Sequence, residues 1–176
     1  ASEAADLYVI NSCTVTAEAD RQSRQQGRRL ARHNPGAKIV ITGCYAEMQP
    51  ETCGAVAGVD LVVGNANKFN IPALAIQLLE GRASDGRGGS PAEKMTERPA
   101  PLLYGYETRT RASVQIQQGC DQACTFCVIH TARGASRSFS QTDIVKQVRH
   151  WVDAGYKEVT ICGVDLGDYG TDSSSQ

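Results

Sequence analysis

Lys38-Ile39-Val40-Ile41-Thr42-Gly43-Cys44 (KIVITGC) is the stretch from which the fold of this chain is read. Lys38–Thr42 is an apolar, β-branched run bounded by Asn34-Pro35-Gly36 before it and Gly43-Cys44 after it, the pattern of a short buried strand. The same shape recurs on either side. Leu7–Ile10 (LYVI) ends in the polar turn Asn11-Ser12-Cys13, and Val59–Val63 (VDLVV) ends at Gly64-Asn65. Helical segments separate these runs. Ala17 to about His33 is polar and Arg-rich and stops at Asn34-Pro35-Gly36, a short helix is expected near Glu47–Ala57, and Lys68–Leu79 reads as a helix with Pro72 in its first turn. Strands separated by helices predict an α/β unit, a Rossmann-like parallel sheet with helices on its faces, over residues 1–83.

Ser84–Pro101 breaks the composition: ten of its eighteen residues are Gly, Pro, Ser or Ala, which reads as a solvated linker over 84–101. A second unit, 102–176, begins near Leu102. Ala112–Gln117 (ASVQIQ) alternates like a strand and runs into Gly119-Cys120, after which a long irregular loop is expected to about Phe139. Ser140 to Ala154 carries Ile144, Val145, Val148, Trp151 and Val152 at helical spacing, with Ser140 as N-cap and Gly155 just past the end. Glu158–Cys162 (EVTIC) is the next strand. Strand, loop, helix and strand make the first βαβ portion of a larger domain, because one such unit cannot bury both faces of its sheet.

Composition narrows the function classes. The 176 residues carry 18 basic and 19 acidic side chains, a net charge of −1, so no global polyelectrolyte argument for nucleic acid is available. No apolar run reaches the roughly 18–20 residues of a membrane span. The first residues show no Met start and no basic segment, so no signal peptide is expected. Seven cysteines are the anomaly. In a cytoplasmic setting, where thiols stay reduced, clustered cysteines bind metal or do chemistry more often than they form disulfides.

Three of them, Cys120, Cys124 and Cys127, form C-x3-C-x2-C in the segment CDQACTFC. Thiolates this close can be aimed by a turn at one metal centre. Three ligands rather than four leave one iron of a [4Fe–4S] cube open, as needed when a cluster binds a substrate or cofactor. The alternative is a zinc knuckle with a distant fourth ligand such as His130 or Cys162. Taken alone, Cys13 and Cys44 read as buried structural thiols or as ligands, each just past the end of a strand, where a parallel sheet gathers its loops into a site.

This loop resembles that of the radical S-adenosylmethionine (SAM) enzymes, with Phe126 in the aromatic position before the last cysteine. Gly119–Ser138 (GCDQACTFCVIHTARGASRS) is similar to the loop of the methylthiotransferases among them, ending in their RGxxRS run at Arg133–Ser138; His130-Thr131 stands where that family usually has a Pro and an aromatic. Asn11–Thr16, Ala19-Asp20-Arg21, Ser23-Arg24 and Thr42–Ala46 resemble the N-terminal domain of the same family. The resemblance implies two [4Fe–4S] clusters, one on Cys120, Cys124 and Cys127 and an auxiliary one on Cys13, Cys44 and a third ligand expected upstream of Ala1.

It further implies SAM as cofactor, in contact with Cys120, Cys124, Cys127, Phe126 and Asp165, although Asp165 reads equally as a structural turn residue. One-electron reduction of SAM, by a donor such as flavodoxin or ferredoxin, would yield the radical that activates an adenine C2–H. NSCTVTAEADRQSR and TGCYAE, with Gly163–Gly170 (GVDLGDYG), are most similar to the branch acting on threonylcarbamoyladenosine at position 37 of tRNA, next to the anticodon. Alternatives are methylthiolation of a ribosomal protein and a non-catalytic iron–sulfur or zinc module. The resemblance implies that the rest of the barrel and a C-terminal RNA-binding TRAM domain lie outside these residues, so the isolated chain is expected not to turn over.

Basic residues are candidates for tRNA contact: Arg133 and Arg137 at the loop, and Arg24 and Arg28, which share a helical face with Arg21 and Arg32. A solvated face partly paired with Glu18 and Asp20 is the alternative. His33 and His150 are placed on helix surfaces, Cys162 in the core of its strand, and Trp151 as the anchor of its helix; Cys53 has no assigned role.

Overall fold

A computed structural model describes residues 5–82 and 111–172. The chain falls into two compact units whose boundary lies within 83–110. The predicted linker and the predicted start of the second unit therefore lie outside the described residues.

In the first unit β1 (Leu7–Ser12), β2 (Lys38–Gly43) and β3 (Leu61–Val63) form a parallel sheet in the order β1-β2-β3. The register runs from Leu7 opposite Lys38 to Ser12 opposite Gly43, and from Val40 opposite Leu61 to Thr42 opposite Val63. β2 is the central strand, with Ile39–Gly43 buried throughout, which explains its unbroken apolar run.

Alternate residues face opposite ways. Ile41 and Val62, with Ile10, pack against Tyr45, Ala46 and Cys53 on one side. Val40, Leu61 and Val63 pack against Leu78, with Leu7, Ile71 and Leu74, on the other.

α1 (Ala17–His33) is a strongly polar helix that still packs, because a narrow stripe of Ser23, Gly27 and Leu30 is buried. Gly27 permits the approach: a Cβ there would sit 3.3 Å from Val56 and 3.8 Å from Ile10. Thr16 caps the helix by accepting from the Ala19 N–H at 3.1 Å, Glu18 and Asp20 occupy its first turn, and Arg32 and His33 its last.

Four expectations for this unit need correction. The first strand runs past Ile10 through Asn11 and Ser12, which pair with Thr42 and Gly43 instead of turning away. The helix near Glu47–Ala57 is two short ones, α2 (Cys44–Met48) and α3 (Pro50–Gly54), because Pro50 has no N–H to continue the first. The third strand spans only Leu61–Val63; Asp60 still donates its N–H to the Ile39 carbonyl at 2.9 Å, and its carboxylate takes the Ile39 N–H and the Lys38 ammonium. The last helix begins with a 3-10 turn at Asn65–Asn70, and α4 spans Ile71–Leu79 with Pro72 in its first turn.

The second unit contains β4 (Ala112–Gln115) paired parallel with β7 (Val159–Cys162), and β5 (Gln117–Gln118) paired antiparallel with β6 (Arg137–Ser138). α6 (Gln141–Asp153) lies on the parallel pair through Trp151, fully buried against Ala112 and Val114. Ser140 caps α6 by accepting from the Asp143 N–H. At the other end Gly155 (φ +89°) closes a Schellman turn, with Tyr156 N–H donating to Trp151 and Gly155 N–H to Val152. Of the five apolar helix positions, Ile144, Val148 and Trp151 face the sheet, while Val145 and Val152 are exposed.

The expected strand Ala112–Gln117 breaks at Ile116. The expected irregular loop contains α5 (Ile129–Arg133) and β6. Cys162 is half-buried rather than in the core, and its thiol is pushed up by that burial.

Candidate functional site

At the C-terminal end of the first sheet, Ser12 and Gly43 are register partners, so Cys13 and Cys44 each follow the last paired residue of neighbouring strands. The Ser12 hydroxyl binds the two strand ends together, donating to the Thr42 carbonyl at 2.5 Å and accepting from the Ala46 N–H at 3.3 Å. Gly43 is required at the crossover: its φ is +99°, and a Cβ there would meet Asn11 Oδ1 at 2.8 Å and Ser12 N at 2.9 Å.

Cys13 is exposed and its sulfur accepts from the Val15 N–H at 3.5 Å; Cys44 is buried and accepts from the Asn65 side-chain amide at 3.8 Å. Asn65 is in turn held by its own N–H on Glu47 at 2.6 Å. Lys68 reaches across to Asn11 at 2.9 Å. Sequence reading passed over Asn65 and Lys68. The available signal was the Gly64-Asn65 turn, which ends a third parallel strand on the same side of the sheet.

Cys53 is elsewhere. It has no exposed surface, and burial first, then the nearby Asp20 carboxylate, push its thiol up to about 12. With no exposed surface, this thiol packs as a small hydrophobe in the core.

In the second unit the cysteine loop springs from the end of β5. Its base is zipped shut: Cys120 N–H donates to the Gly134 carbonyl at 3.1 Å, and Ser136 N–H to the Asp121 carboxylate at 3.0 Å. Gly119 (φ +78°) makes the closure possible, because a Cβ there would sit 2.7 Å from the Gly134 oxygen and closer still to that of Ala135. Cys120 and Cys127 are half-buried, Cys124 is exposed, and all three are free thiols. Gln122 N–H donates to the Cys120 sulfur at 3.4 Å, and Cys127 N–H to the Cys124 carbonyl at 3.0 Å. Phe126 projects into solvent, 91% exposed.

Among the described residues no group of three or more His, Cys, Asp or Glu side chains is gathered as a metal cage. The donor set nevertheless suits an iron–sulfur cluster: three soft thiols on one short loop, with a backbone N–H already directed at one sulfur. At the first sheet's end Cys13 and Cys44 account for two such donors.

The other predicted residues divide. Asp165 accepts from the Gly167 N–H at 3.1 Å, capping the 3-10 turn at Leu166–Asp168. Arg137 donates to the carbonyls of Ala135 at 3.0 Å and Arg133 at 3.2 Å, and burial lowers its pKa against the opposing pull of Asp172. Arg24 donates to the Tyr45 hydroxyl at 2.6 Å. Arg28 is exposed and Arg133 half-buried.

Two family models match separate parts of the chain. Residues 1–64 match the model of "Uncharacterized protein family UPF0004" and residues 114–171 that of the "Radical SAM superfamily". A solved structure of the radical SAM methyltransferase TsrM from Kitasatospora setae superimposes with a TM-score of 0.66 at 15% identity, over 93% of this chain and 37% of that one. The second unit is thus the start of a radical SAM domain.

Threonylcarbamoyladenosine tRNA methylthiotransferase MtaB of Bacillus subtilis is 42% identical over 97% of this chain, and its counterpart from Aquifex aeolicus 40% identical over 96%. A tRNA-2-methylthio-N(6)-dimethylallyladenosine synthase from Sulfurihydrogenibium is 30% identical over 97%. The chain belongs to the methylthiotransferase family of radical SAM proteins and is similar to its MtaB members. It spans about two fifths of the length of these relatives (38%, 41% and 40%). No helix among the described residues is long and apolar enough to cross a membrane.

Proposed function

We propose that the chain is the cluster-bearing part of a tRNA methylthiotransferase that places a methylthio group on C2 of N6-threonylcarbamoyladenosine at position 37. The observation that carries this reading is the loop of Cys120, Cys124 and Cys127, whose closed base holds three free thiols at the open end of a parallel βαβ unit. A [4Fe–4S] cluster on these cysteines would supply the electron that cleaves the sulfonium of SAM. Around it Phe126 offers an exposed ring, and Asp165, in the turn after β7, offers a polar side chain to the cofactor. Arg137 is engaged in holding the loop's return, so Arg133 and Arg28 are the stronger candidates for phosphate contact. Cys13 and Cys44 would contribute two ligands to the auxiliary cluster.

Anaerobic reconstitution tests the reading. Near four irons and four sulfides on the second unit, with a spectrum altered by SAM, are expected, and their loss on substituting any one of the three loop cysteines by Ser. Zinc without an iron chromophore would refute it. For substrate, a full-length relative carrying these residues is expected to methylthiolate tRNA bearing threonylcarbamoyladenosine; modification of a ribosomal protein instead would overturn that part. A reduced flavodoxin or ferredoxin is the expected electron source.

A further inference from the structure

Gln117 has no exposed surface, yet every polar position of its amide is engaged. Its Oε1 accepts from the N–H groups of Val164 and Asp165, both at 2.9 Å. Its Nε2 donates to the Gly119 carbonyl and the Ser136 hydroxyl, both at 2.9 Å, with the Gln118 carbonyl at 3.3 Å. A primary amide offers two donors and two acceptor positions. Here they are spread over three separate segments: the residue before Cys120, the return of the cysteine loop, and the turn after β7.

The backbone ladder between the parallel strands ends where this begins. β4 and β7 pair as far as Gln115 and Cys162, followed by one more bond from Ile116 N–H to the Cys162 carbonyl at 2.9 Å. Beyond that point the Gln117 side chain makes the link. The turn closes down on it, since a Cβ on Gly163 would lie 3.1 Å from both Cβ and Oε1 of Gln117. A buried amide is costly unless saturated, and a saturated one specifies a single arrangement of its partners.

We propose that Gln117 is a positioning residue for cofactor binding: it locks the cysteine loop to the Gly163–Asp165 turn, so that a SAM held at the cysteines meets that turn at a fixed separation. The proposal rests on the SAM reading of the loop, and the test separates the two.

In the full chain Gln117→Met keeps the length of the side chain and removes its hydrogen bonds. Gln117→Glu keeps an acceptor for Val164 and Asp165 but loses the donors to Gly119 and Ser136. Hydrogen exchange at the Val164 and Asp165 amides, iron content after anaerobic reconstitution, and SAM affinity by equilibrium dialysis are measured on each. Gln117→Met is expected to keep wild-type Trp151 fluorescence and iron content, to exchange Val164 and Asp165 about tenfold faster, and to bind SAM about tenfold more weakly. Wild-type SAM affinity in the iron-loaded variant overturns the proposal.

If Gln117→Met does not fold, Gln117→Glu decides. Protected Val164 and Asp165 amides with weakened SAM binding support the lock, and wild-type affinity refutes it. If the unsubstituted chain takes up no iron, the cluster reading fails on its own. Unchanged amide exchange in Gln117→Met then still overturns the lock.

Discussion

Gly119→Ala perturbs the base of the cysteine loop with a single methyl group. The residue sits at φ +78°, where an L side chain costs about 1–2 kcal/mol. The new Cβ would also lie 2.6 Å from the Ala135 carbonyl carbon and 2.7 Å from the Gly134 oxygen, both backbone atoms that no rotamer change can move aside. Relief requires parting the two sides of the loop base, which gives up the Cys120-to-Gly134 and Gln117-to-Gly119 hydrogen bonds, about 1 kcal/mol each. The sum is about 3–4 kcal/mol, a large share of the roughly 5–15 kcal/mol that holds a domain together.

The helix–sheet core of Ala112, Val114 and Trp151 does not include this loop, so the damage is expected to stay local. Trp151 is the only tryptophan and is fully buried, so its fluorescence reports that core alone. The expected result is native Trp151 emission with iron uptake reduced at least severalfold and with faster alkylation of Cys120. Gly36→Ala is the control, since a Cβ there meets nothing within 4 Å. Iron uptake and thiol labelling in Gly119→Ala that match the control would refute the argument that this backbone closure shapes the loop.

Trp151→Ala removes the side chain that joins α6 to β4 and is expected to cost about 3–5 kcal/mol, read as a lowered denaturant midpoint. Ser12→Ala leaves the Thr42 carbonyl and Ala46 N–H without their shared partner, a loss of about 1–3 kcal/mol visible in thermal unfolding. Cys53 is expected to resist iodoacetamide at pH 8 in the native chain while Cys13 and Cys124 label, as mass spectrometry of the peptides would show. Its raised pKa has a sign. The unfolded thiol ionises near 9.0 and the folded one near 12, so across that window the unfolded state holds fewer protons and stability falls as pH rises. Urea midpoints from pH 8 to 11 should therefore decline more steeply in the wild type than in Cys53→Ala.

Some of this was legible in the residues themselves. Short apolar runs punctuated by Gly, Asn and Pro place a strand or a turn through local chemistry alone, which is why KIVIT, LYVI and Ala17–His33 read directly as elements and Ser140 and Gly155 as the two ends of a helix. Cysteine spacing is also local, so the C-x3-C-x2-C loop was visible. Fine boundaries were less so. Val59 and Asp60 have strand-compatible neighbours, but the Asp60 carboxylate is drawn to Lys38 and Ile39, some twenty residues away in sequence. Likewise Val145 and Val152 share the helical period of Val148 and Trp151, and only packing tells which stripe meets the sheet.

The sequence by itself determined the alternation of strands and helices, the family to which the chain belongs and the thiols that are candidates for metal, because each depends on residue type and near spacing. Tertiary structure decided what those residues are free to do. It put Cys13 and Cys44 beside each other through the register of Ser12 with Gly43, and sent Cys53 into the core. It turned Arg24 onto Tyr45 and Arg137 onto loop carbonyls. It also made Gln117, an unremarkable letter in an alternating run, the link between the cysteine loop and the turn after β7. The physical reason is common to all of these: hydrogen-bond satisfaction and burial depend on which segments meet in space, and spacing along the chain does not record it.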